Sequence, residues 1–196
     1  MRARMALDVS GIKVEHREVL LRDKPAAMLT ASPKGTVPVL VTDSSVIDES
    51  LDVMIWALEQ NDPENWLAEK DQDRLDIETF LDTFKDRLDR YKYASRYDPS
   101  VQRGDVDVKQ RAAAMTVLTQ FTSSLDDAQY LRGDQPRLID IATFPFIRQF
   151  AAVEPEWWNG SAPKPLLLWL SEWLNSERFR RIMTKHPKWE EAMPNG

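Results

Sequence analysis

Over residues 2–10 the apolar positions Ala3, Ala6, Leu7 and Val9 can share one helical face, and Gly11 is a good stop. The start of this helix is unusual. No Ser, Thr, Asp or Asn precedes it as a cap, and Arg2, Arg4 and the terminal ammonium stand at the positive end of the helix dipole. From Ile12 to Leu21 the pattern changes to alternation, with Ile12, Val14 and His16 against Lys13, Glu15 and Arg17, which predicts a strand. Pro25 can open a short helix through Met28 and Leu29, and Ser32-Pro33-Lys34-Gly35 reads as a loop. Val37–Val41 and Val46–Ile47 read as strands across a turn at Asp43-Ser44-Ser45, and Asp48-Glu49-Ser50 opens a helix carrying Leu51, Met54, Ile55 and Leu58. Asp62-Pro63-Glu64 marks a linker, after which the period is helical throughout. Leu75, Phe80, Phe84, Leu88 and Tyr91 form one stripe. Val108, Ala112, Met115, Thr119 and Thr122 form a second, widened by Leu118 and Leu125. Further helices are predicted over Ile139–Ala151, Leu166–Leu174 and Glu177–Met183. The pattern therefore divides the chain into an α/β part over 1–61 and an all-helical part over 64–196.

Composition removes several classes of chemistry. Hydrophobic residues make up 42% of the 196, an ordinary fraction for a folded protein. Lys and Arg number 26 against 32 Asp and Glu, and a net charge of -6 makes nucleic acid an unexpected partner. There is no cysteine, hence no disulfide, thiolate ligand or cysteine nucleophile in the chain as given. His16 and His186 lack ligand spacing, so no metal is expected. The strongest apolar run, Leu166–Leu170, falls short of the roughly 20 residues that span a bilayer. The N-terminus lacks the long apolar stretch of a signal peptide, and a cytoplasmic protein without membrane association is expected.

Two segments at a fixed separation carry a family resemblance. Ser32-Pro33-Lys34-Gly35-Thr36-Val37-Pro38-Val39-Leu40, followed by Val46-Ile47-Asp48-Glu49-Ser50-Leu51-Asp52, strongly resembles the glutathione-binding half of a glutathione transferase. Leu138-Ile139-Asp140-Ile141-Ala142, with Pro145-Phe146-Ile147-Arg148-Gln149-Phe150, resembles the C-terminal folding helix of the same family. The fold implied is a thioredoxin-like α/β N-terminal domain followed by an all-α helical bundle. The resemblance further implies a cis Val37–Pro38 peptide that turns the Val37 backbone toward the cysteinyl part of glutathione. Glu49 and Ser50 would take the γ-glutamyl carboxylate at a helix N-terminus, and Lys34 would meet the glycyl carboxylate. Read singly, Pro38 can merely kink an edge strand, Asp48 or Ser50 can merely cap a helix, and Lys34 can be a solvated loop charge.

Two departures from the family pattern stand out. The first strand and catalytic loop of the family precede its first helix, so the catalytic group is expected upstream of Met1. The sheet is then incomplete, lacking a central strand between residues 12–21 and 37–41. Arg137 stands where the family usually carries a Ser or Thr cap for the folding helix, which loses the reciprocal pair with Asp140. Near the end of the long helix, Tyr91 and Tyr97 are candidates for the wall of a hydrophobic-substrate site, or simply half-buried rings. The function implied is conjugation of glutathione, as cosubstrate, to a small electrophile, or thiol-dependent reduction, in a possible homodimer. The alternative is a non-catalytic interaction or regulatory protein of the same fold.

Overall fold

The computed structural model describes residues 1–190. Its elements are α1 (Arg2–Ser10), α2 (Ala26–Ala31), β1 (Leu40–Val41), β2 (Val46–Ile47), α3 (Ser50–Gln60), α4 (Lys70–Lys92), α5 (Val108–Phe121), α6 (Leu138–Ala151), α7 (Pro155–Ser161), α8 (Lys164–Asn175) and α9 (Glu177–Ile182). They form two compact units, one of Met1–Glu64 with the described residues from Glu177 on, the other of Asn65–Ser176. The last helix thus groups with the N-terminal unit, whereas the sequence pattern assigned it to the helical part.

In the first unit α1 and α3 pack side by side, burying Met5, Ala6, Val53, Met54 and Leu58. Asn61 ties their ends together by donating to the Ser10 carbonyl at 3.0 Å. The expected cap at Gly11 is present, with φ 69° and its N–H on the Asp8 carbonyl at 3.3 Å. The unfavourable charges of α1 are spent on tertiary contacts. Arg4 donates to the Thr184 carbonyl, and Asp8, at the negative end of the dipole, is held by Arg178 and Arg181 of α9 at 3.2 and 2.8 Å. Those ion pairs tie α9 to this unit, and Ile182 of the same helix is buried.

The strand expected over Ile12–Leu21 does not form. Only isolated bridges occur there, Glu18 with Lys188 and Leu20 with Asp23, and the Glu18 carbonyl accepts from Trp189 N–H at 2.8 Å. Alternation says which side chains share a face, but a ladder needs a neighbouring strand, and this segment meets one at a single point. The expected strand at 37–41 shortens for the same reason to Leu40–Val41, paired antiparallel with β2 in the register Leu40–Ile47 and Val41–Val46. His16 and His186, which lack ligand spacing in the sequence, lie stacked with ring centroids 4.1 Å apart.

The second unit is built on α4. Its buried stripe runs Asp73, Ile77, Phe80, Phe84, Leu88, Tyr91, and Leu75 is 58% exposed. Leu75 had been assigned to this stripe. It lies two residues before Ile77, about 200° around the helix, and so points away from it. Asp73 takes the inner place because Arg132 and the Ile139 N–H satisfy its carboxylate, at 2.9 and 3.3 Å. On α5 the buried positions are Ala114 and Leu118, continued by Thr122 and Leu125, so Val108 and Ala112 of the expected stripe face outward. Phe80 stacks on Phe121 at 4.0 Å, and Phe84 and Tyr91 tilt against Phe150 of α6 at 5.6 and 5.2 Å. Trp66, Trp158, Trp169 and Trp173 complete this core. Trp158 packs edge-on against Phe150 at 5.9 Å, and Trp157 lies beneath the Arg111 guanidinium at 4.3 Å.

The start of α6 has each donor of its first turn placed. Leu138 N–H reaches the Trp66 carbonyl at 2.9 Å, Ile139 N–H reaches Asp73, and the Asp140 and Ile141 N–H groups reach the Arg137 carbonyl at 3.1 and 3.5 Å. Asp140 Oδ2 accepts from Arg137 N–H at 3.0 Å. This is the half of the reciprocal cap that a carboxylate can supply; a guanidinium has no lone pair to return the bond.

Candidate functional site

The loop after α2 is shaped by two small residues. Ser32 ends the helix, with its N–H on the Met28 carbonyl at 2.9 Å, and its hydroxyl donates to Asp48 Oδ2 at 2.7 Å. Gly35 adopts φ 61°, and a Cβ there would also meet the Leu29 and Lys24 side chains at 3.3 Å, so the turn favours glycine on both counts. Between them Lys34 extends its ammonium to Asp48 Oδ1 and Glu49 Oε1, both at 3.0 Å. The Ser32 hydroxyl, and then Lys34, hold the Asp48 carboxyl below the usual carboxylate range. Asp48, and then Glu49, push the Lys34 ammonium up. The loop is thereby fixed to the two residues that lead into α3.

Downstream, the Val37–Pro38 peptide is cis, the conformation implied by the resemblance. Val37 and Pro38 lie on the segment from Lys34 to β1, with the Val37 side chain exposed. Helix α3 begins at Ser50 with Glu49 in the cap position and no side-chain cap on its first-turn donors. Arg2 Nε donates to Ser50 Oγ at 2.8 Å. Burial pushes the Arg2 guanidinium pKa down, opposed by Glu49 and Asp52. Of the five residues singled out for glutathione, the fold joins Lys34, Glu49 and Ser50 in one charged cluster, and chain continuity carries Val37 and Pro38 beside it.

Sequence reasoning missed Arg2 and Ser32 as members of this cluster. A signal for Arg2 was present: a cation in the first turn of a helix is unfavourable unless something polar or anionic outside the helix receives it. Ser32 carried no such signal, since a serine at a helix end is ordinary.

In the helical unit, Tyr91 is fully buried and its hydroxyl donates to Glu154 Oε2 at 2.7 Å, where Arg111 also donates at 2.7 Å. Burial, and then Glu154, push the phenol pKa upward. Tyr97 is 48% exposed, with the Arg90 guanidinium over its ring at 4.7 Å. Tyr97 therefore has surface to offer a ligand and Tyr91 has none. Among the described residues no three His, Cys, Asp or Glu side chains are grouped to hold a metal ion, and no helix is long and apolar enough to cross a membrane.

Residues 1–66 match the family model of the glutathione S-transferase N-terminal domain. The glutathione S-transferase U19 of Arabidopsis thaliana is 27% identical over 188 residues, covering 93% of this chain and 84% of its own. The probable glutathione S-transferase parA of Nicotiana tabacum is 27% identical over 164 residues, covering 79% of this chain and 69% of its own. Among solved structures, the glutathione transferase Omega 3C of Trametes versicolor superposes with a TM-score of 0.75 at 19% identity, covering 95% of this chain and 85% of that one. A Ser-to-Cys mutant of poplar glutathione transferase F1 superposes with a TM-score of 0.74 at 18% identity, covering 93% and 90%. Residues 1–66 thus match the glutathione S-transferase N-terminal domain, and over the rest of its length the chain is similar to glutathione S-transferases and shares their fold, a thioredoxin-like N-terminal domain followed by a helical C-terminal domain.

Proposed function

We propose that the chain binds glutathione at the cluster formed by Lys34, Val37, Pro38, Glu49 and Ser50 and offers its thiol to a small electrophile, by conjugation or in thiol-dependent reduction. The observation that supports this most directly is the opening of α3. Glu49 and Ser50 stand at a helix N-terminus without a side-chain cap, flanked by the cations Lys34 and Arg2. A γ-glutamyl group carries a carboxylate and an ammonium on one carbon, so it suits a place where both signs of charge lie within a few ångströms. Ser50 and the first-turn N–H groups suit the carboxylate, and Glu49 suits the ammonium. The Val37 backbone takes the cysteinyl part as a short added strand. Lys34 keeps one ammonium N–H beyond those given to Asp48 and Glu49, and that donor reaches the glycyl carboxylate.

This assigns the residues that hold glutathione, not the group that ionises its thiol. A free thiol has a pKa of about 8.5, and activation requires a neighbouring donor or cation. Tyr97, whose ring is half exposed, is the candidate for contact with the electrophile. A cytoplasmic homodimer is the setting that accompanies this reading. The test is a calorimetric titration of the chain with glutathione beside Ser50→Ala. Binding by the parent that weakens about tenfold in the variant is expected, the size of one hydrogen bond to a charged group. A folded parent that takes up no glutathione sinks the proposal.

A further inference from the structure

The bond from Arg2 to Ser50 gives the site a polarity that family resemblance does not carry. A serine hydroxyl has one O–H and two lone pairs and can rotate to serve as donor or acceptor. In this chain Arg2 Nε already donates to Ser50 Oγ at 2.8 Å. That contact takes one of the two lone pairs and turns the O–H away from the guanidinium, outward as a donor. A hydroxyl that accepts from a cation is also polarised, which strengthens the bond it gives in turn. The same residue begins α3, whose first-turn N–H groups have no side-chain cap. Arg2 is held in place from two directions, lying on α1, which packs along α3, and beside the Glu49 and Asp52 carboxylates.

We propose that Arg2 is the positioning residue of the γ-glutamyl subsite, orienting the Ser50 O–H as a donor to the ligand's α-carboxylate and so setting the preference for glutathione over thiols that lack this carboxylate. This rests on the glutathione reading given above. It differs from a purely structural role for Arg2, in which the guanidinium only staples α1 to α3. A staple affects all ligands alike, whereas a positioning residue affects only those that present a carboxylate to Ser50.

The experiment compares two probes, glutathione and 4-aminobutyryl-cysteinyl-glycine, which keeps the amine, thiol and glycyl groups and lacks only the α-carboxylate. Affinities are measured by calorimetry for the parent, Arg2→Met, Arg2→Lys, Ser50→Ala and the Arg2→Met/Ser50→Ala double variant. The parent is expected to favour glutathione by at least about tenfold, the size of one charge-assisted hydrogen bond. Arg2→Met should lose most of that preference while binding the analogue as the parent does. Arg2→Lys, which still offers a cationic donor, should restore part of it. Adding Ser50→Ala to Arg2→Met should change the preference little further, because the two residues act in series. If Arg2→Met fails to fold, Arg2→Gln replaces it, and the same fall in preference is expected.

An unaltered preference in Arg2→Met or Arg2→Gln overturns the proposal and leaves Arg2 as a staple. Equal weakening toward both probes overturns it as well. A folded parent that binds neither probe overturns the glutathione reading itself, and with it this inference, so the two failures are told apart by the parent alone.

Discussion

Asp140 carries three donors on two oxygens. Leu131 N–H and Trp169 Nε1–H reach Oδ1 at 3.0 and 2.9 Å, and Arg137 N–H reaches Oδ2 at 3.0 Å. Burial nevertheless dominates, with the Asp73 carboxylate adding to it, and the pKa is pushed up to about 6 from an ordinary 3.8. The folded chain then binds this proton more tightly than the unfolded chain. Asp140 therefore contributes most stability below pH 3.8 and loses it as pH rises through about 6. The difference is on the order of 3 kcal/mol. Asp140→Asn cannot titrate, so the advantage of the parent over this variant should shrink by about 2 kcal/mol, most of that difference, between pH 4 and pH 6.5. Urea unfolding of both proteins at the two pH values checks it, and a gap that does not change with pH removes Asp140 as its source.

Among the elements, α9 shows how charge can assign a helix to a unit. It is short, only Glu177–Ile182, and Arg178 and Arg181 of this helix meet Asp8 at the end of α1. The Arg181 hydrogen bond first, then Arg178, hold the Asp8 carboxyl below its usual range. With its folded pKa depressed, Asp8 stabilises the chain above pH 3.8, and the contribution is lost as pH falls through the lower folded value. The pairs are partly exposed, so Asp8→Asn should cost about 1 kcal/mol at pH 7, and less as the pH falls below 3.8. Hydrogen exchange of the α9 amides in the variant at pH 7 should rise accordingly; unchanged exchange would mean that apolar contacts alone hold this helix. Nothing in the spacing of Asp8 and Arg181 foretells their meeting, since 173 residues separate them. What could be read in advance was local. Gly11 as a cap, the turn between Val41 and Val46, and the helix opening at Ser50 each follow from residue types within a few positions. The strand at 12–21 was misread because its partner is a matter of tertiary structure. Leu75 was misread because apolarity was weighed above phase, with Asp73 holding the inner place through partners 59 and 66 residues away. In the site, Lys34, Glu49 and Ser50 were legible as a motif, whereas Arg2 became a member only through folding.

At the scale of the whole molecule the two units are built differently. The helical unit buries long stripes from α4, α6 and α8, with Ala114 and Leu118 of α5. The first unit has a two-stranded ladder of two residues each, and Leu20, Leu21, Val37, Val41 and Val46 are exposed around it. Protection from local opening follows buried apolar contact and backbone pairing. Amides in residues 12–23 and 33–46 should therefore exchange faster than the interior amides of α4 and α6, by roughly three orders of magnitude. Peptide-resolved exchange of the full chain measures this directly, and similar rates in both regions would contradict it.

The distribution of tryptophans has a practical consequence for anyone who follows this protein by light. Of the seven, Trp66, Trp157, Trp158, Trp169 and Trp173 lie in the helical unit, and only Trp56 and Trp189 lie in the other. Intrinsic emission excited at the indole band is therefore weighted toward the helical unit. Opening of the loop and sheet that carry Lys34 and Val37 passes almost without colour, and Trp56, six residues beyond Ser50 on α3, is the natural lamp for what happens at the opening of that helix.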